Sequence, residues 1–191
     1  MKRIILTVFA ASSLLLYSTP SFAISLSVGV PVSASFSAKD DDGSAYKADG
    51  SSGYFLGVQL PFGLGLGMDS HKTKIKDSTY IVATSMYNLY YQLPVPVVSL
   101  ILGLGTGNSN YDCADAFEGG GGGTVSSCAD VWDKGAATQW YTSIGFPIIP
   151  FFDIHLSYRS ITSKNVKPKG GQVGKQDLSG TITGIGLAFN F

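Results

Sequence analysis

Hydrophobic and polar positions alternate along most of this chain. A period of two sends successive side chains to opposite faces of an extended strand. The cleanest run is Ile24–Ser37. There Ile24, Leu26, Val28, Val30, Val32 and Phe36 share one face, and Ser25, Ser27, Gly29, Ser33 and Ser35 the other. Seven further segments repeat the pattern: Ser52–Pro61, Gly63–Lys72, Tyr80–Leu93, Val97–Gly107, Ala136–Phe146, Phe152–Ile161 and Leu178–Phe191. Leu64, Leu66 and Met68 oppose Gly65, Gly67, Asp69 and His71. Leu89 and Tyr91 oppose Asn88, Tyr90 and Gln92. Trp140, Ile144 and Phe146 oppose Gln139, Tyr141 and Ser143. Ile154, Leu156 and Tyr158 oppose Asp153, His155, Ser157 and Arg159. Pro31 interrupts the first strand, and since proline cannot donate to a ladder it predicts a bulge or a local register fault.

The connections fall into two kinds. Pro61-Phe62-Gly63, Pro94-Val95-Pro96 and Pro147-Ile148-Ile149-Pro150 are short and uncharged, whereas Ala38–Ser51, Thr73–Thr79, Asn108–Gly135 and Thr162–Asp177 are long and polar. Short periplasmic turns alternating with long extracellular loops are the asymmetry of bacterial membrane barrels, which have an even number of strands. Each segment meets the ~9–11 residues a tilted spanning strand requires. The pattern predicts an all-β fold: an eight-stranded antiparallel up-and-down transmembrane β-barrel, apolar rows toward lipid, both mature termini periplasmic. A soluble barrel would turn the apolar rows inward and expose the Gly, Ser and Asn rows to water. Those rows are too poor in charge for a solvated surface.

Composition supports the lipid-facing assignment. Charged residues make up 14% of the chain, against ~25% in soluble domains. They are also sorted, with none between Tyr80 and Tyr111. At the start, Lys2-Arg3, the mostly apolar stretch Ile4–Tyr17 and Ser21-Phe22-Ala23 have the form of a secretory signal peptide. The expected division is therefore a signal peptide over 1–23 and one barrel over 24–191. Without Lys2 and Arg3 the remaining 11 basic residues face 13 acidic ones, which gives no basic excess for nucleic acid.

The tail Ile185-Gly-Leu187-Ala-Phe189-Asn-Phe191 resembles the closing strand of Gram-negative outer-membrane β-barrel proteins. In that family the terminal aromatic residue is part of the signal read by the barrel-assembly machinery, a role the resemblance assigns to Phe191. The whole mature pattern is similar in architecture to the opacity-type, OmpX-like and OmpW-like barrels. That resemblance implies outer-membrane lipid and lipopolysaccharide as partners. It also implies a non-enzymatic role in envelope integrity or surface interaction, with a narrow porin for small or hydrophobic solutes as the alternative. A lipid-modifying enzyme is the second alternative. His155-Leu156-Ser157 matches the His-x-Ser pair of the lipid A deacylases. Yet Tyr158-Arg159 replaces that family's Asn-Ala, no Glu follows Glu118, and His155 is placed toward the lumen.

Several residues invite chemistry. Cys113 and Cys128 are the only cysteines, and an even count in an exported chain predicts a disulfide. Both are expected in the third long loop, flanking the glycine run Gly119–Gly123, as a loop staple or as the base of a small surface hairpin that a partner recognises. The third loop also carries Asp112, Asp115, Glu118, Asp130 and Asp133. The fourth carries Lys164, Lys167, Lys169 and Lys175, candidate contacts for lipopolysaccharide phosphates. Asp69, His71, Gln92, Gln139, Asp153, His155 and Arg159 are expected to form a polar network in the lumen. Buried charges must be paired, so Asp153 is expected to meet Arg159, or Asp69 an Arg or His. A Ser/His/Asp grouping is conceivable there, but small barrels fill their interiors with side chains. No catalytic residue, cofactor or metal site is therefore assigned, and no open channel is expected.

Overall fold

The computed structural model describes residues 24–38, 46–95, 97–113, 117–118, 124–125, 128–149, 151–169 and 174–191. The expected signal peptide, Asp115 and the glycine run lie outside the described residues. Eight strands form a closed antiparallel barrel: β1 (Ser25–Phe36), β2 (Ala48–Gln59), β3 (Leu64–Ile75), β4 (Tyr80–Leu93), β5 (Ser99–Cys113), β8 (Gly135–Ile149), β9 (Phe152–Thr162) and β10 (Gly180–Asn190). Each pairs with its neighbours in sequence, and β1 closes the wall against β10. Between β5 and β8 lie a two-residue ladder, β6 (Phe117–Glu118) with β7 (Thr124–Val125), and one helical turn, α1 (Cys128–Val131).

Faces follow the alternation. Leu56, Leu66, Leu89, Leu102, Leu104, Ile144, Leu156 and Leu187 are exposed on the outside, as a wall bathed in hydrocarbon requires. Tyr54, Tyr87, Trp140 and Tyr158 edge this apolar belt on the side of the long loops. Aromatic rings with one polar end settle at such boundaries. No helix among the described residues is long and apolar enough to cross a membrane.

Three expectations are corrected. The ladder between β1 and β10 slips between Pro31 and Ser33, leaving Val32 without a counterpart. An odd insertion exchanges the faces beyond it. Phe36, expected outside, therefore packs against the interior, and Ser33 and Ser35 face outward. The strands also run further toward the loops than the apolar belt does. β3 reaches Ile75, and β5 reaches Cys113, which ends a strand rather than lying in a loop. Finally, Pro147–Ile149 belongs to β8, with a register slip of its own, and the turn follows it.

One seam differs from the rest. β4 and β5 pair continuously from Tyr80↔Cys113 to Leu93↔Leu100. β1 and β2 pair only from Ser25↔Gln59 to Gly29↔Phe55. Above that point β1 carries Pro31 and its bulge. β2 carries a slip between Ala48 and Ser51, with Gly50 and Gly53 at positive φ.

Candidate functional site

The interior is filled in layers from the turn end to the loop end. At the turn end Gln92 Nε2 donates to Ser99 Oγ at 3.3 Å, and Ser99 Oγ donates to Asp153 Oδ2 at 3.0 Å. Ser143 Oγ stands 3.3 Å from His155 Nδ1, while His155 Nε2 is 3.9 Å from Asp153 Oδ2, beyond hydrogen-bond reach. Above them Tyr90, Ile101 and Tyr141 pack as one cluster. Glycines make room for the rings. A Cβ on Gly65 would stand 2.1 Å from the Tyr90 ring, and one on Gly103 would stand 2.1 Å from the Tyr141 ring.

The central layer holds the charges. Arg159 Nε donates to Asp69 Oδ2 at 2.9 Å, and Gln139 Nε2 donates to the same oxygen and to Asn88 Oδ1, each at 2.7 Å. Arg159 also donates to Ser157 Oγ, and its guanidinium lies 3.5 Å over the centroid of Phe55. Such stacking suits a planar, weakly hydrated cation. Asp69 thus meets Arg159 as expected. Asp153, in contrast, uses Ser99 and stands by His155 rather than Arg159. His71 lies one step above, buried and edge-on to Phe55 at 6.2 Å between centroids.

An apolar layer covers this network: Phe55, Met86, Ala137, Ile161 and Ile182, with Met86 wholly buried. Beyond it Thr84 and Ser109 share a hydrogen bond of 2.9 Å. Three free volumes lined by inward-facing side chains measure about 60, 20 and 10 Å³. A single water needs about 10–15 Å³, so each of these spaces takes at most a few waters.

The loop end is closed by an apolar cap. Ile75, Val82, Tyr111, Cys128, Val166 and Leu178 form one buried cluster, with Phe36, Tyr80, Cys113 and Trp132 packed on it. Tyr111 lies between Tyr80 and Trp132, at 5.2 and 5.1 Å between ring centroids. The Cys113–Cys128 disulfide, with Cα atoms 5.4 Å apart, ties the end of β5 to α1 within this cap. The third and fourth loops are joined through their backbones. Asp133 N–H donates to Lys167 O at 2.9 Å, and Lys169 N–H donates to Val131 O at 2.7 Å. Lys164, Lys167, Lys169 and Lys175 are all exposed on this end. Asp112 is engaged elsewhere, accepting from Lys72 Nζ at 2.6 Å.

The seven expected lumen residues therefore share one interior; six fall in two groups, and His71 is buried above them. Asp69, Gln139 and Arg159 form the central one, and Gln92, Asp153 and His155 the lower one. The alternation did not single out the apolar layer of Met86, Ile161 and Ile182, or the cap. Ile75, Val82 and Tyr111 do continue the inward row past the belt, which is the signal for the cap.

No family model matches the chain, and no curated protein matches it. Solved structures do. Neisserial surface protein A is 15% identical, over 90% of this chain and 98% of its own, at a TM-score of 0.61. The Escherichia coli outer membrane protein W is 12% identical, over 90% of this chain and 100% of its own, at 0.54. The outer membrane protein AlkL is 9% identical, over 91% of this chain and 92% of its own, at 0.51. At such identities the likeness is one of architecture. The chain has the fold of the small eight-stranded outer-membrane β-barrels.

Proposed function

We propose that this is an integral outer-membrane protein, exported by the segment 1–23. Its turn end and both mature termini face the periplasm, and its loop end faces outward. It conducts no solute and catalyses no reaction; it acts in envelope integrity or surface interaction through the joined third and fourth loops. The observation that carries this reading is the occupied interior. The Asp69–Gln139–Arg159 network and the apolar layer above it fill the lumen, and the cap shuts the outer end. The His155-Leu156-Ser157 triplet supports it too. Both polar side chains are buried inside the barrel, away from the lipid a deacylase must reach.

Lys164, Lys167, Lys169 and Lys175 are the proposed contacts for lipopolysaccharide, each a point charge for a phosphate. Exchanging all four for glutamine is expected to strip lipopolysaccharide from the purified protein. Unaltered co-purification would remove the contact from this reading. A second reading, a passage for small hydrophobic solutes, draws support from the half-paired seam between β1 and β2.

A further inference from the structure

Among the described residues, the surface at the turn end of the barrel bears no charged side chain. Below the Asp69–Arg159 pair, Asp153 is the one charged residue among the described ones, and it is buried. The three turns present large apolar side chains instead. Phe62 stands in the first, Val97 in the second, and Ile148, Ile149 and Phe151 at the third; each is more than half exposed, and Val97 is 84% exposed. Turns in water are ordinarily built from Gly, Asn, Asp and Ser.

Backbone geometry makes the choice more pointed. Phe62 and Val97 sit at φ 75° and 77°, a region where glycine fits without penalty and a β-branched residue is an outlier. Folding alone would favour glycine at both. The Val97 side chain, 84% exposed, therefore makes its contact outside the barrel.

Continuity identifies that contact. The outward rows pass from wall to turn with no polar break: Leu60 to Phe62, and Phe146 to Ile148. From Trp140, in the aromatic edge near the loops, to Ile148 is eight residues. At about 3.3 Å rise and 40° tilt this spans roughly 20 Å. An apolar band in such barrels is about 25 Å tall, so the turns fall within its lower boundary.

We infer that the uncharged turn rim of Phe62, Val97, Ile148, Ile149 and Phe151 is immersed in acyl chains of the periplasmic leaflet, so that the barrel ends inside the bilayer. This inference rests on the membrane placement proposed above. Among the described residues, every charged side chain on the outer surface then lies toward the loop end, which fixes the direction: the lysine-bearing loops cannot sink into the membrane.

Both native cysteines are in the disulfide, so single cysteines can be introduced and labelled. Val97→Cys and Ile148→Cys test the rim, Leu104→Cys the wall, and Lys175→Cys the loop end. Each carries an environment-sensitive fluorophore in vesicles of phosphatidylethanolamine and phosphatidylglycerol, with chain-nitroxide phospholipids or aqueous cobalt as quenchers. The expected result is that positions 97, 148 and 104 are quenched severalfold more by the lipid nitroxide than position 175 is, and are shielded from cobalt. Lipid quenching at 104 with cobalt quenching at 97 and 148 would overturn the inference alone and turn attention to a periplasmic protein as the partner of the rim. Cobalt quenching at 104 as well would overturn the membrane placement on which it rests.

Discussion

Replacing Arg159 by methionine tests the filled lumen from within. In the folded barrel the Arg159 and Asp69 side chains are 7% and 2% exposed. Methionine keeps much of the stem, but it removes the donor 2.9 Å from Asp69 Oδ2 and the cation above Phe55. Asp69 retains Gln139 as its donor, and the carboxylate is left buried without a counter-charge. Breaking a buried pair by removing one partner costs about 3–5 kcal/mol. Removing both charges is different, because apolar residues of similar volume often replace a buried pair with little loss. The double variant Asp69→Leu/Arg159→Met is therefore expected within about 2 kcal/mol of the parent. The assay is urea unfolding in vesicles, read by tryptophan fluorescence and by gel mobility. If Arg159→Met alone costs under about 1 kcal/mol, water screens the pair and the interior is wetter than argued.

Other outcomes follow from the wall and the cap. In an outer-membrane fraction the unheated protein is expected to migrate differently from the boiled protein; a soluble protein with no shift would mean the apolar rows line an interior. Amides of Val30–Phe36 and Ala48–Tyr54 that point into the open seam are expected to exchange on the order of tenfold or more faster than those shared by β4 and β5; equal protection would show the seam to be zipped. Cys113→Ser/Cys128→Ser is expected to lower stability by about 2–4 kcal/mol, because the bridge closes a 15-residue separation. It should also leave mobility on a gel insensitive to reductant, whereas the parent shifts; an unchanged unfolding midpoint would detach the bridge from the cap.

The wall was legible in the sequence because an exposed apolar outer face and a packed interior impose opposite demands on neighbouring residues. Leu64-Gly65-Leu66-Gly67-Met68 declares both faces at once. Asp69, His71, Gln139, Asp153, His155 and Arg159 were placed inside by the same parity. Which of them meet was not legible, since that depends on heights on strands far apart: Arg159 reaches Asp69 from β9 to β3, while Asp153 falls two layers lower. Parity also fails silently at a bulge. Pro31 gave warning of one, but nothing in Ser33–Phe36 reveals on which side the faces resume. The cap was hidden for another reason. Tyr111 sits at the end of the inward row of β5, but Trp132, Val166 and Leu178 stand in segments rich in polar residues, where the disulfide and backbone hydrogen bonds help gather them. Cys113 and Cys128 were the visible part of that arrangement.

The central claim is that the barrel is closed by its own side chains. Conductance of the purified, heat-modifiable protein across a planar lipid bilayer tests it most directly. The account predicts a stable insertion with no discrete conductance steps, in the parent and after reduction of the disulfide alike, because the central network and the layer of Phe55, Met86, Ile161 and Ile182 lie below the cap. Reproducible steps from the parent protein would contradict it and make the chain a narrow pore.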